Sequence, residues 1–285
     1  MRQAEAMMRL FLLTSLVMVA FASNSLLNRA ALVDGHMGPA SFLALRFVAA
    51  AVTLIALVLW QERAWPKAGS WPAALALLTY GVFFSFAYLA LDAGLGALML
   101  FGMVQITLFG MALRGGERPG WPRWTGAALG LLGLALLFVP GAERPPLWAL
   151  LAMGVAGVAW GVYTYLGRSG GQPLAATARN FVLAAPFACL IWLISPAEAP
   201  MSLYGVVLAI ASGAIASGLG YALWYTVLPR IDASLSAVSQ LTVPVIAIFA
   251  GVLLLGEPVS WLLALSSVLV LGGVALAVLA GAGRT

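Results

Sequence analysis

The sequence predicts an all-α integral membrane protein: ten transmembrane helices, laid out as two inverted five-helix repeats around a central cavity. Three observations carry that expectation. Of the 285 residues, 63% are hydrophobic and 8% are charged, against roughly 25% charged in an ordinary soluble domain. The apolar residues fall in runs of about 20, the length that crosses a bilayer, separated by turns of Gly, Pro, Trp and charge. Third, one stretch occurs twice. Asp92, Ala93, Leu95, Ala97, Gly116, Glu117 and Trp121 return as Asp232, Ala233, Leu235, Ala237, Gly256, Glu257 and Trp261, at a constant offset of 140 residues. Such a repeat governs how the rest is read.

Hydrophobic periodicity and turn signals place spans at about 8–28, 39–60, 71–91, 94–113, 121–139, 147–167, 174–194, 202–227, 233–254 and 260–280, with ends good to a few residues. The first span, with Arg2 and Arg9 before it and Ala20-Phe21-Ala22 near its end, has some features of a cleaved leader. It is expected to be retained. Residues 20–24 align with Ala159 to Tyr163, and Arg29 with Arg168, so removing it would leave unequal halves. The halves are 1–140 and 141–285.

Lys and Arg concentrate on the cytoplasmic side of membrane proteins. With a cytoplasmic N-terminus that side collects Arg2, Arg9, Arg63, Lys67, Arg114, Arg118, Arg123, Arg168, Arg230 and Arg284; the other side has Arg29 and Arg144. Both termini are therefore expected in the cytoplasm. The net charge of +5 reflects topology and not nucleic-acid binding. Five spans per repeat is an odd number, so the second copy enters the membrane upside down. Inverted repeats of this kind are common in secondary transporters, with the substrate near the midplane where the halves meet.

The paired G-E-x-x-x-W segments at 116–121 and 256–261, the second-helix pattern Ala44-Leu45-Arg46-Phe47-Val48-Ala49-Ala50, and Trp160-Gly161 carry a family resemblance. The whole chain resembles the EamA type of the drug/metabolite transporter superfamily, and within it the YddG-like exporters of aromatic and other neutral amino acids. The resemblance implies a cavity formed by the first, third, fourth, sixth, eighth and ninth helices, with the fifth and tenth at the periphery. It also implies a multi-pass protein of the bacterial inner membrane.

Side chains suited to such a cavity recur at helical spacing. They are Tyr80, Phe84 and Tyr88 in the third span, Met99 and Met103 in the fourth, Trp160 and Tyr163 in the sixth. Ser217, Tyr221 and Trp224, with Tyr225, follow in the eighth, Ser236 and Gln240 in the ninth, and Asn24 in the first. Rings with a polar tip and adaptable thioethers suit a small, bulky, neutral amino acid. Aromatics at this spacing also serve as plain packing, but intramembrane Asn and Gln are costly against lipid. Pro244 withholds the N–H that the Gln240 carbonyl would otherwise receive, which suggests either a substrate contact or a kink. Pro186 suggests a kink only. Arg46 and Arg179 occupy corresponding places in the second helix of each half and read as gate or structural charges, with a substrate carboxylate as the alternative.

No Asp or Glu lies within a span, the single His36 lies in a loop, and no phosphate-binding loop is present. These point away from an enzyme and from ATP, cofactor or metal chemistry, and towards gradient-driven alternating access. Coupling through loop-end acids such as Asp92 or Asp232 stays open. So do a carrier of another small metabolite or drug-like amphiphile, a non-transporting sensor, and an intramembrane enzyme, although Ser217 has no histidine base within a span. The expected partners are a small-molecule substrate and membrane lipid. Gly157-x-x-x-Gly161 and Gly126-x-x-x-Gly130 allow close helix approach; the second pair suits either the join between halves or a dimer seam, and the oligomeric state is left open.

Overall fold

The computed structural model describes residues 2–116, 120–138, 145–167, 172–196, 198–230 and 239–282. Among the described residues the chain is all-helical. In order, α1 is Arg2–Val33, α2 Pro39–Glu62, α3 Trp71–Ala87, α4 Ala93–Arg114, α5 Trp121–Leu136, α6 Leu147–Gly167 and α7 Pro173–Ile194. The next helix, α8, is composite. Leu203–Ile210 is α-helical, Ala211–Leu219 is π-helical, and Gly220–Val227 is α-helical again. α9 is Thr242–Leu255 and α10 is Trp261–Ala282. The expected boundary near residue 140, Glu117, Arg168, Asp232 and Ser236 lie outside the described residues, as does the side chain of Tyr225.

Among the described residues, six segments are long and apolar enough to cross a membrane: Met7–Val33, Pro39–Glu62, Ala93–Arg114, Leu147–Gly167, Pro173–Ile194 and Leu203–Trp224. Trp71–Ala87, Thr242–Leu255 and Trp261–Leu276 are shorter apolar helices. Large hydrophobics such as Phe11, Leu193, Phe249 and Leu253 stand exposed on the bundle surface, which is where lipid replaces water.

Helix starts follow local chemistry. Proline stands in the first turn of α2, α3, α5 and α7, where its missing N–H has no intrahelical partner to lose. Ser70 Oγ accepts from the Ala73 N–H at the start of α3, and Ser202 and Ser260 cap α8 and α10 in the same way. The Gly-Glu turn also has a local cause: Gly256 ends α9 with φ 65° and Gly116 follows α4 with φ 84°, the left-handed conformation that glycine adopts without a Cβ penalty.

Two expected spans differ from what is observed. The third ends at Ala87, so Tyr88 is its C-cap residue, not a member of its helical face. The ninth is interrupted: Ser239 and Gln240 are helical, Leu241 is a turn, and the next helix starts at Thr242, which puts Pro244 in a first turn instead of mid-helix. A proline there is tolerated, and the break expected at Gln240 falls at Leu241, the residue after it. Pro186, in contrast, sits inside α7 as expected.

Glycine sets the helix spacing. A Cβ on Gly157 would sit 2.6 Å from Met103 Cβ and 2.7 Å from the Leu100 carbonyl oxygen, and one on Gly161 would lie 2.7 Å from Thr107 Cβ. These gaps let α6 lie close against α4. A Cβ on Gly273 would meet the Gly126 carbonyl at 2.5 Å and the Gly130 nitrogen at 2.9 Å. The Gly126–Gly130 pair thus joins α5 to α10 within one chain. Of the two roles open to it, this packing is the one seen. Other large contacts pair α2 with α7 and α8, α3 with α7, α4 with α9, α6 with α3 and α4, and α1 with α8 and α9. Exchanging the first five helices for the last five maps this set of pairings onto itself.

Candidate substrate site

Around the middle of the bundle, rings from separate helices converge. Trp160 of α6 lies 4.8 Å from Tyr80, 5.3 Å from Tyr163 and 5.4 Å from Tyr221, centroid to centroid. Phe21 of α1 meets Tyr221 edge-on at 5.7 Å and Trp224 at 5.9 Å. Tyr80 and Phe84 are 5.1 Å apart, and Phe84 and Tyr88 4.8 Å. Such tilted and edge-to-face pairs are the favoured aromatic arrangements. The pocket between them is lined by Phe21, Asn24, Ser25, Tyr80, Phe84, Leu100, Phe101, Trp160 and Tyr221, and holds about 20 Å³. That is room for roughly one water, so the site is closed around itself.

Polar groups sit behind the rings. Asn24 Oδ1 accepts from Ser212 Oγ at 2.8 Å and from Ser217 Oγ at 3.2 Å. Both serines belong to the π-helical segment. Its i→i+5 hydrogen bonding brings residues five apart towards one face, so Ser212 and Ser217 reach the same oxygen. Ser217 Oγ in turn accepts from Arg46 Nε at 3.4 Å, and Arg46 Nη2 donates to Tyr80 Oη at 3.0 Å. The guanidinium carbon lies 5.3 Å from the Tyr80 ring centroid and 5.0 Å from that of Phe84. Arg46 is 0% exposed.

Asn24, Tyr80, Phe84, Trp160 and Tyr221 of the expected set line the pocket; Ser217 stands one layer behind. Tyr163 and Trp224 touch the ring cluster, and the Tyr163 hydroxyl donates to Thr177 Oγ1 at 3.3 Å. Tyr88 is buried with its hydroxyl on the Ala93 carbonyl at 3.4 Å, outside the lining. Met99 and Met103 lie against Gly154 and Gly157 of α6; the α4 residues that line the pocket are Leu100 and Phe101. Gln240 is half-buried, in the helical stretch that the turn at Leu241 separates from α9, and is not in the lining. Arg179 is half-buried and donates to the Pro66 carbonyl at 3.4 Å, tying α7 to the α2–α3 loop.

Several buried polar residues were not anticipated: Ser25 and Asn28 of α1, Ser85 of α3 and Ser212 of α8. Asn28 Nδ2 donates to Ser85 Oγ at 3.3 Å. A signal for the π segment is present in the sequence. Ala-Ser-Gly occurs at 211–213 and again at 216–218, five residues on.

One end of the bundle is held by carboxylates. Glu198, before α8, accepts from the Ala40 and Ser41 N–H groups at 2.8 and 2.9 Å, capping α2. Glu257, before α10, turns both oxygens to the Ala93 N–H at 2.8 and 2.9 Å, capping α4. Gly38 and Asp92, the local N-cap residues, supply no side-chain cap of their own. Helix N-termini carry partial positive charge and unpaired N–H groups, so a carboxylate suits them. Arg29 joins this cluster through Asp92 at 3.4 Å and Glu257 at 3.6 Å, and donates to the Tyr88 carbonyl at 3.0 Å. Burial raises the Glu257 carboxyl above its ordinary value of 4.5; the Ala93 N–H works against that shift, Asp92 adds to it, and Arg29 opposes it. His36 lies at the same end, its ring 4.9 Å from Tyr204 and its carbonyl accepting from the Ser202 N–H.

The EamA-like transporter family model matches residues 8–139 and again 147–279. The chain therefore belongs to the EamA-like transporter family, and with it to the drug/metabolite transporter superfamily. It is a multi-pass membrane protein of a family that transports small substrates. An uncharacterized protein of Pseudomonas aeruginosa is 48% identical over 277 residues, spanning 97% of this chain and 96% of that one. A solved structure, titled only as the crystal structure of a protein, has TM-score 0.68 at 22% identity, covering 97% of this chain and 99% of the other. That likeness shows the fold.

Proposed function

We propose that this chain is a secondary carrier that exports aromatic and other neutral amino acids, such as methionine and threonine, across the bacterial inner membrane by alternating access. The pocket walled by Tyr80, Phe84, Trp160 and Tyr221, with Asn24 at its edge, is the observation that carries the reading. Flat rings with polar tips offer apolar area and a few directed hydrogen bonds, the mixture that a bulky neutral amino acid uses. Its small volume fits an occluded form that opens by relative motion of the halves.

The inverted-repeat architecture, with ten spans divided at residues 140 and 141, is supported by the two successive family matches and by helix pairings that survive exchange of the halves. The distribution of Lys and Arg supports cytoplasmic termini. With that orientation the Glu198–Glu257 end faces outward and is the shut gate. A carrier of another small metabolite or drug-like amphiphile is the reading to adopt if no neutral amino acid is moved.

The test is flux of radiolabelled phenylalanine, methionine and threonine in proteoliposomes, with pH and ion gradients set independently. Wild-type protein is expected to move at least one of them, and Trp160→Ala to lower that flux about tenfold or more, since the ring packs against Tyr80, Tyr163 and Tyr221. No flux for any neutral amino acid would overturn this assignment of substrate.

A further inference from the structure

The interior holds one charge that is not balanced. Arg46 is the only charged side chain among the fully buried polar residues described. Both ion pairs among the described residues belong to Arg29, so no carboxylate answers Arg46. Its guanidinium offers five N–H donors in a planar fork. The bonds found are one from Nε to Ser217 and one from Nη2 to Tyr80, and Nη1 is buried with no partner at all. Neutral hydroxyls and two ring faces are weak compensation for a desolvated cation; buried charges are ordinarily paired.

The position of this charge gives it a use. Tyr80 and Phe84, the two rings over which the guanidinium sits, also line the pocket, and Ser217 links it to Asn24 on the pocket's edge. Rotation of Tyr80 or Phe84, the motion that must accompany enlargement of a 20 Å³ space, exposes the guanidinium to whatever enters. Apart from Asn24 and Ser25, the lining is apolar or aromatic, and it includes no acid to receive an ammonium group. The site therefore has a built complement for an anionic end and none for a cationic one.

We propose that Arg46 is the anion anchor of this site, and that the ligand is recognised through a carboxylate attached to an aromatic or bulky apolar body. The carboxylate takes the unpartnered Nη1 and the adjoining Nη2 donor in a forked pair, while the body lies among Trp160, Tyr221 and Phe21. The α-ammonium of an amino acid is dispensable. This rests on the pocket being the transport site, and moves the recognised feature from the neutral amino acid as a whole to its carboxylate, in molecules zwitterionic or not.

Calorimetric titration of the full chain in lipid nanodiscs with 3-phenylpropionate, phenylalanine and phenethylamine tests it. Both acids are expected to bind about tenfold or more tightly than the amine, the scale of a charge-assisted forked pair. Arg46→Gln is expected to erase the difference, and Arg46→Lys, which keeps the charge but not the fork, to retain part of it. The proposal is overturned if wild-type protein binds the amine as well as the acids, if neither acid binds, or if Arg46→Gln keeps the preference. The wild-type comparison decides even where a variant fails to fold. Phenylalanine flux without any preference for the acids would sink the anchor and spare the carrier; binding of 3-phenylpropionate without flux of any amino acid would do the reverse.

Discussion

Among the described residues, polar contacts link the first five helices to the last five at the Glu257 end, around Arg46, and where Arg179 and Asn180 meet the α2–α3 loop; the chemistry of the first two is opposite. At the Glu257 end, carboxylates from the second half meet helix N-termini and Arg29 of the first half, and both signs of charge are present. Around Arg46 a cation meets hydroxyls, an amide and rings, and no anion. The end is satisfied by the protein's own groups and is suited to holding the halves together. The centre is left short of one partner and is suited to receiving a ligand. Both carboxylate clamps even have room made for them: a Cβ on Gly38 would overlap the Glu198 side chain, and one on Gly251 would overlap that of Glu257.

Wedging the centre open while leaving the end alone should have the largest effect. Gly157→Leu would force a side chain against Met103 and the Leu100 carbonyl, at a cost of about 1–3 kcal/mol or more for overpacking. Flux in proteoliposomes is expected to fall severely with the thermal midpoint; normal flux at normal expression would show that α4 and α6 need not lie this close.

Loosening the end comes next. Glu257→Ala removes the α4 cap and one partner of Arg29, a loss of about 1–2 kcal/mol, read as a lower melting temperature. The pH dependence has a defined sign. Because the folded protein raises this carboxyl above 4.5, its protonated form is the one that folding favours. Its contribution to stability is fully present below 4.5 and is lost as pH rises through the raised value. Melting measured across that window should slope downward in wild-type protein and flatten in Glu257→Gln; identical slopes would remove Glu257 from the linkage.

The smallest effect is expected where the centre has a spare contact. Ser212→Ala deletes one of two hydroxyl donors on Asn24 Oδ1 and leaves Ser217 in place. A loss of about 1 kcal/mol in stability, with ligand binding retained, is anticipated from denaturant titration. A larger loss would mean that the two serines act as a unit.

Much of this molecule is written in local pattern, and what is not follows a rule. Apolar runs locate the helices, since span length depends on neighbours in sequence; Gly157 and Gly161 mark a close approach for the same reason. Tyr80 and Phe84, four residues apart, share a helix face by spacing alone. Arg46 and Arg179 look equivalent because each follows a helix-opening proline, Pro39 and Pro173. Their surroundings separate them: Tyr80, Phe84 and Ser217 for one, a loop carbonyl at Pro66 for the other. Arg46 and Ser217 are 171 positions apart, and Glu257 caps a helix 164 positions earlier. Nothing in either local stretch announces those meetings. Tyr88 falls outside the lining because the helical face is extrapolated one residue past the helix end at Ala87, and Met99 and Met103 because a glycine seam receives their side chains.

The π-helical stretch of α8 also acts as an aiming device. An α-helix advances about 100° per residue, and the wider π turn absorbs about one residue more, so rewinding Ala211–Leu219 as regular α-helix at unchanged length would turn everything after it by roughly that angle. Tyr221 and Trp224 would swing off Phe21 and Trp160, while the part before the segment, with its cap at Ser202, stayed where it is. The winding of this one stretch thus sets the compass bearing of half the helix, and its conversion to regular α-helix would redraw the pocket without altering any side chain in it.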